Sequence, residues 1–172
     1  MTKTEKISEY NNSERPPFFP MMIDMKGKKI LIAGGGNVAS RRADTLIRCG
    51  AEVIAVSPKF CDDFPKSAKR IIRCFRPEDL DTDLSLVIAA TDSRDINRLI
   101  HDIAKSKSIP VNVADCQSEC DFFFPSMINS GSMAVSVCSA GISPSLTRHL
   151  SERLRKVWPS WVEEFSKKNH PA

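Results

Sequence analysis

Apolar and polar positions divide the chain into short runs and stripes. Residues 28–33 (KKILIA) are a compact apolar run between a Lys-Gly pair and three glycines, which predicts a buried parallel strand. Residues 37–49 follow with Ala39, Ala43, Leu46 and Ile47 on one helical face, and Gly50 is placed to end that helix. Further strands are predicted at 52–57 (EVIAVS), stopped by Pro58, at 70–75 (RIIRCF) and at 84–90 (LSLVIAA). Thr91-Asp92-Ser93 is a helix-start signal, with Asp92 where an N-cap is expected. Ile96, Leu99, Ile100 and Ile103 then recur at helical spacing, which predicts an amphipathic helix over 93–107. A fifth strand is expected at 110–114 (PVNVA).

Strands alternating with helices mean βαβ units and a parallel sheet. The pattern then changes. Residues 122–128 and 132–139 flank Asn129-Ser130-Gly131, which predicts an antiparallel hairpin appended to the sheet. Ser143-Pro144 opens a last helix striped by Leu146, Leu150, Leu154 and Val157, and Pro159 is expected to interrupt it. The fold class is therefore α/β: a Rossmann-like parallel sheet with an appended β-hairpin and a short C-terminal helical region. The expected divisions are a flexible tail at 1–17, the sheet domain at 18–118, and hairpin plus helix at 119–172.

Composition narrows the function class. The 172 residues are 41% hydrophobic and 27% charged, which suits a soluble globular protein. Lys and Arg number 25 against 21 Asp and Glu, a net +4. That mild excess argues against a nucleic-acid partner and is compatible with an anionic small molecule. No apolar run approaches the roughly 20 residues of a membrane span, and the polar N-terminal stretch has no apolar signal core. A cytoplasmic protein without a membrane partner is expected. Cys49, Cys61, Cys74, Cys116, Cys120 and Cys138 contain no Cys-x-x-Cys, and His101, His149 and His170 lie far apart. Reduced thiols and no dedicated metal site are expected.

Gly34-Gly35-Gly36-Asn37-Val38-Ala39 matches G-x-G-x-x-A between a strand and a helix, the placement that makes the pattern a dinucleotide signature. Gly34 permits the tight turn, Gly36 admits a pyrophosphate, and Ala39 keeps the helix close to the strand. Free N–H groups at the helix start then face the phosphates. The second strand ends in Val56-Ser57-Pro58-Lys59 rather than in an acid, so the residues alone leave NAD and NADP open.

Ligands in such sheets bind at the carboxyl ends of the strands, where Thr91, Asp92, Asn112, Asp115 and the segment after the hairpin fall. Asp115 ends an apolar strand shortly before Phe122-Phe123-Phe124. A carboxylate beside apolar surface suits a general base, and an aspartate at such a place also suits a cap on the next turn; both readings stand. The single tyrosine, Tyr10, lies in the tail, which excludes a Tyr-x-x-x-Lys dehydrogenase. A non-catalytic NAD(H)-sensing Rossmann module is the alternative to an enzyme.

Residues 19–39 (FPMMIDMKGKKILIAGGGNVA), 50–58 (GAEVIAVSP), 89–92 (AATD), 111–115 (VNVAD), 122–125 (FFFP) and 139–144 (SAGISP) resemble the precorrin-2 dehydrogenase/sirohydrochlorin ferrochelatase family, also the N-terminal module of siroheme synthase. They run in the family's order across residues 19–157. The resemblance implies NAD-dependent oxidation of precorrin-2 to sirohydrochlorin in siroheme biosynthesis, a secondary ferrochelatase activity in some members, and a homodimer built on the C-terminal region. It implies NAD contacts from the glycine turn (Asn37 and Val38) and from Ser57, Pro58 and Lys59, with the nicotinamide near Thr91, Asp92 and Asn112. The family carries a proline after the second strand where other folds of this type carry an acid. Asp115 matches the family's catalytic aspartate, and Ser139, Gly141 and Ser143 its tetrapyrrole-facing segment, where Ala140 replaces a frequent glycine. Arg41, Arg42 and Arg148 are candidates to hold the substrate's carboxylates.

Overall fold

A computed structural model describes residues 18–169 apart from residue 82; the expected tail at 1–17 lies outside the described residues. Five parallel strands form one sheet: β1 (Lys29–Ala33), β2 (Glu52–Ser57), β3 (Lys69–Ile72), β4 (Leu86–Ala89) and β5 (Val111–Val113), in the order β3-β2-β1-β4-β5. The order reverses between β1 and β4, which opens a crevice at their carboxyl ends.

Helices cover both faces of the central strands, so β1, β2 and β4 are apolar along most of their length. Ile30 and Ile32 of β1 point to one face with Val53, Ala55 and Ile88, and meet helix α1 (Asn37–Arg48) through Ala39, Ala43 and Leu46. Ala39 and Ala43 are fully buried, and their small side chains bring α1 close to the sheet. Leu31 and Ala33 point to the other face with Val87, Ala89 and Val111, against Ile100 and Ala104 of helix α2 (Arg94–Ser106).

Both helices end alike. Gly50 (φ 86°) donates to the Ile47 carbonyl and Ala51 to that of Leu46. Ser108 (φ 56°) and Ile109 repeat this at Lys105 and Ala104. These are Schellman closures, and the second places a serine where glycine is the unstrained choice.

The remainder differs from expectation in detail. β3 is a short edge strand ending at Ile72, because Arg73 turns away to form a two-pronged ion pair with Asp79. The hairpin, β6 (Ser126–Ser130) and β7 (Met133–Val137), does not join the parallel sheet but forms its own two-stranded sheet. Ser130 faces Met133 across a Gly131-Ser132 turn, one residue later than the expected loop, with the positive φ falling on Gly131 (56°). Phe122 to Pro125 are not strand: Phe123 packs edge-on against Phe18 at 4.8 Å, and Phe122 tilts on Phe124 at 5.7 Å.

Helix α3 (Pro144–Asn169) packs on the hairpin and continues through Pro159 instead of breaking there. The proline removes one backbone donor, a local cost of about 3 kcal/mol that the turns on either side outweigh. Among the described residues, no helix is long and apolar enough to cross a membrane.

Candidate functional site

The three glycines of the first turn serve different ends. A Cβ on Gly34 (φ 130°) would lie 2.1 Å from the Ala90 carbonyl oxygen, and one on Gly35 would lie 2.1 Å from that of Lys59. Gly34 donates to Val56 and Gly35 accepts from Cys61, so the turn is tied to β2 and its exit loop. A Cβ on Gly36 would meet nothing within 4 Å. Gly36 is the N-cap of α1, no side chain caps that end, and no acid stands in its first turn. Exposed helix donors beside an open glycine suit a phosphate group. The residues present therefore fit a dinucleotide, with Asn37, Val38 and Ala39 supplying the N–H groups.

Ser57 is buried at the end of β2, and its hydroxyl donates to the Lys59 carbonyl at 2.7 Å. That bond folds the Ser57-Pro58-Lys59 turn against Gly35. After β4, fully buried Asn97 holds Thr91: its Oδ1 accepts from the Thr91 N–H at 3.0 Å and hydroxyl at 2.8 Å, and its amide donates to the Thr91 carbonyl at 3.0 Å. The cap of α2 is Ser93, whose hydroxyl accepts from Ile96, and not Asp92. Asp92 is exposed one residue too early to cap.

Asp115 follows β5 on the same edge. It does not cap the 3₁₀ turn Gln117–Glu119, whose N-cap is Cys116. Its Oδ1 instead accepts from Arg94 Nη1 at 3.2 Å. Arg94 also grips Glu119, which Arg98 Nη1 approaches at 3.3 Å. The hydrogen bond from Arg94 holds the Glu119 carboxyl below its usual range, and pairing raises Arg94 in turn. An exposed ion pair thus replaces the apolar setting expected for Asp115. Sequence reading missed Arg94, although one signal was available: a cation at the first position of a helix opposes the macrodipole, so it needs another employment.

The loop after β7 is strained. Ala140 (φ 49°) and Gly141 (φ 79°) are consecutive left-handed residues, which explains the advantage of glycine at the first of them. Gln117 Nε2 donates to the Ala140 carbonyl at 2.8 Å and occupies the place of a Gly141 side chain. The Asp115 loop and the 139–143 loop are thereby latched together, a contact no local pattern signals. At the start of α3, Ser143 supplies the first accepting carbonyl, while the hydroxyl that receives the Ser143 N–H, at 3.0 Å, is that of Ser139.

Between α1 and the hairpin–α3 unit lies a cavity of about 690 Å³. Arg41, Arg42, Arg148 and Arg155 line it, together with Asn112, Ser139 and Gly141. Asn112 is 2% exposed, and its amide donates to the Phe122 carbonyl at 2.6 Å. Asp92 and Asp115 are not among the residues that line this cavity.

A glycine turn at the reversal point of a parallel sheet, with uncapped helix donors beside it, defines a Rossmann-type nucleotide-binding protein. Residues 21–126 match the family model described as putative NAD(P)-binding, and the chain belongs to that family. It is 37% identical over 155 residues to siroheme synthase of Photorhabdus laumondii, covering 87% of this chain and 33% of that one. It is 38% identical over 151 residues to siroheme synthase of Nitrosospira multiformis, covering 83% and 32%. A probable multifunctional siroheme biosynthesis protein HemA of Ruminiclostridium josui is 33% identical over 162 residues, covering 88% and 30%. The chain thus spans about a third of the length of these relatives. Among solved structures, SirC, a precorrin-2 dehydrogenase, shares the fold, with a TM-score of 0.66 at 22% identity over 85% of this chain and 76% of that one.

Proposed function

We propose that the protein oxidises precorrin-2 to sirohydrochlorin with NAD as hydride acceptor, as a step of siroheme biosynthesis in the cytoplasm. The observation that carries this reading is that one helix, α1, bears two features. Its start is the open, donor-rich glycine turn, and Arg41 and Arg42 further along it line a cavity walled by arginines. Precorrin-2 is a polycarboxylate, and a cationic wall suits it. The homologous siroheme synthases supply the substrate class. Six free cysteines accord with a reducing compartment.

In this reading the N–H groups of Asn37, Val38 and Ala39 hold the pyrophosphate, with Gly34, Gly35 and Gly36 shaping the turn. Ser57, Pro58 and Lys59 flank the adenosine side, and Thr91, Asp92 and Asn112 border the nicotinamide. The nicotinamide, when bound, supplies the hydride-accepting carbon. Arg41 and Arg148 bind substrate carboxylates, and Ser139, Gly141 and Ser143 shape the loop that faces the macrocycle. As a hydride leaves the substrate, Asp115 takes up the accompanying proton, and Arg94 orients its carboxylate. Two copies pair through the hairpin and α3.

Anaerobic mixing of protein, NAD and precorrin-2 tests the reading: NADH absorbance grows as sirohydrochlorin forms, and NADP serves less well. Asp115→Ala is expected to lower turnover about 10²–10⁴-fold while NAD binding persists. Unchanged turnover removes Asp115 from the role of base, and NAD binding with no precorrin-2 oxidation favours a sensing module. Fe²⁺ added to the product tests the chelatase activity that the family resemblance implies.

A further inference from the structure

The arginines of the cavity are not equivalent. Arg48 pairs with Asp44 at 3.0 Å and Arg155 donates to Ser126 Oγ at 2.9 Å. Arg41 and Arg148 are exposed to solvent. Arg42 is different. Its guanidinium carbon stands 5.3 Å from the centre of the Phe124 ring, and its Nη1 is buried with no hydrogen-bond partner among the described residues. Burial is the main reason its pKa is pulled down. Asn112 Oδ1, on the same cavity wall, is also buried with no donor among the described residues.

A buried cationic donor with no acceptor is costly to a fold, and native proteins rarely keep one without a use. The aromatic face beneath it offsets part of the cost and fixes the plane of the guanidinium. What it lacks is an anion. A carboxylate reaching the wall would draw the fork toward the cavity and supply the missing acceptor for Nη1.

We propose that Arg42, seated on Phe124, is the specificity residue of this cavity, selecting a polycarboxylate macrocycle by pairing with one of its carboxylates. This rests on the reading that a polycarboxylate tetrapyrrole enters here, and it adds the group that discriminates. A solvated arginine screens any anion; a stacked, desolvated fork rewards one carboxylate in one position.

The test is equilibrium binding of uroporphyrin I, an octacarboxylate that needs no redox step, to the full-length protein. Arg42→Met is expected to weaken binding about tenfold to a hundredfold, the loss of one charged hydrogen-bonded contact. Its Tm is expected to hold or rise, because an unpaired buried charge has gone. Arg48→Met, removing a guanidinium already paired with Asp44, is expected to cost less than about threefold. Arg42→Lys keeps the charge without the planar fork and should fall between; it carries the test if the methionine variant fails to fold. Equal losses in the Arg42 and Arg48 variants overturn the proposal, as does a fall in Tm of Arg42→Met at unchanged affinity. NADH formation from precorrin-2 is read separately. Uroporphyrin binding that depends on Arg42 without precorrin-2 oxidation keeps this subsite and rejects the dehydrogenase. Oxidation with an unchanged KM in Arg42→Met does the reverse.

Discussion

Gly35 and Gly36 are neighbours in one turn, yet a methyl group has opposite consequences at the two. At Gly35 it would sit 2.1 Å from the Lys59 carbonyl oxygen and 2.8 Å from the Ser57 hydroxyl, against backbone that cannot yield cheaply. At Gly36 it would enter open space at the mouth of α1. Gly35→Ala is therefore expected to lower Tm sharply, at a cost of several kcal/mol, on the order of about 2–4. Gly36→Ala should keep its Tm and weaken NADH binding about tenfold or more, read by fluorescence titration. Equal Tm in both variants would reject the assignment. The G-x-G-x-x-A pattern pointed to Gly36 from sequence, because its spacing encodes the approach of a phosphate. It said nothing of Gly35, a variable position in the pattern, because the constraint comes from a loop beyond β2.

At the scale of elements, the segment after β5 is held from two sides. Arg94, on α2, binds Asp115 and Glu119, and Gln117 latches onto the loop after β7. The Arg94 hydrogen bond holds Glu119 below its usual range. A carboxylate depressed in the folded state contributes stability that is complete above its unfolded value, about 4.3, and is lost as pH falls through the lower folded value. Tm should thus fall more steeply in the wild type than in Glu119→Gln as pH falls below about 4.3. Parallel slopes would mean that the ion pair adds nothing to stability. The elements themselves were legible, since helical and strand spacing survive averaging over a window. Their ends were not. β3 stops at Ile72 because Arg73 finds Asp79, and α3 passes Pro159 because the helical turns on either side outweigh one missing donor.

For the whole molecule, the apolar surface is unevenly spread. Leu146, Leu150 and Trp161 of α3 are 38%, 41% and 54% exposed, and Met133 of the hairpin is 51% exposed. Exposed apolar side chains gathered on one helix and its hairpin suit a second copy of the chain. Leu150→Glu is expected to convert a dimer to monomer in sedimentation analysis with the sheet domain still folded; a wild type that sediments as monomer would reject this. The sequence by itself determined the parallel sheet, its two helical layers and the nucleotide turn. These follow from short-range periodicity and from glycine sterics within a few residues. Only the tertiary structure decided that the hairpin stands apart from the sheet, that Arg94 faces Asp115, and that Arg42 alone among its neighbours is stacked and lacks an acceptor for Nη1. Each depends on contacts between segments far apart in the chain, and the energy of such a contact is absent from either segment alone.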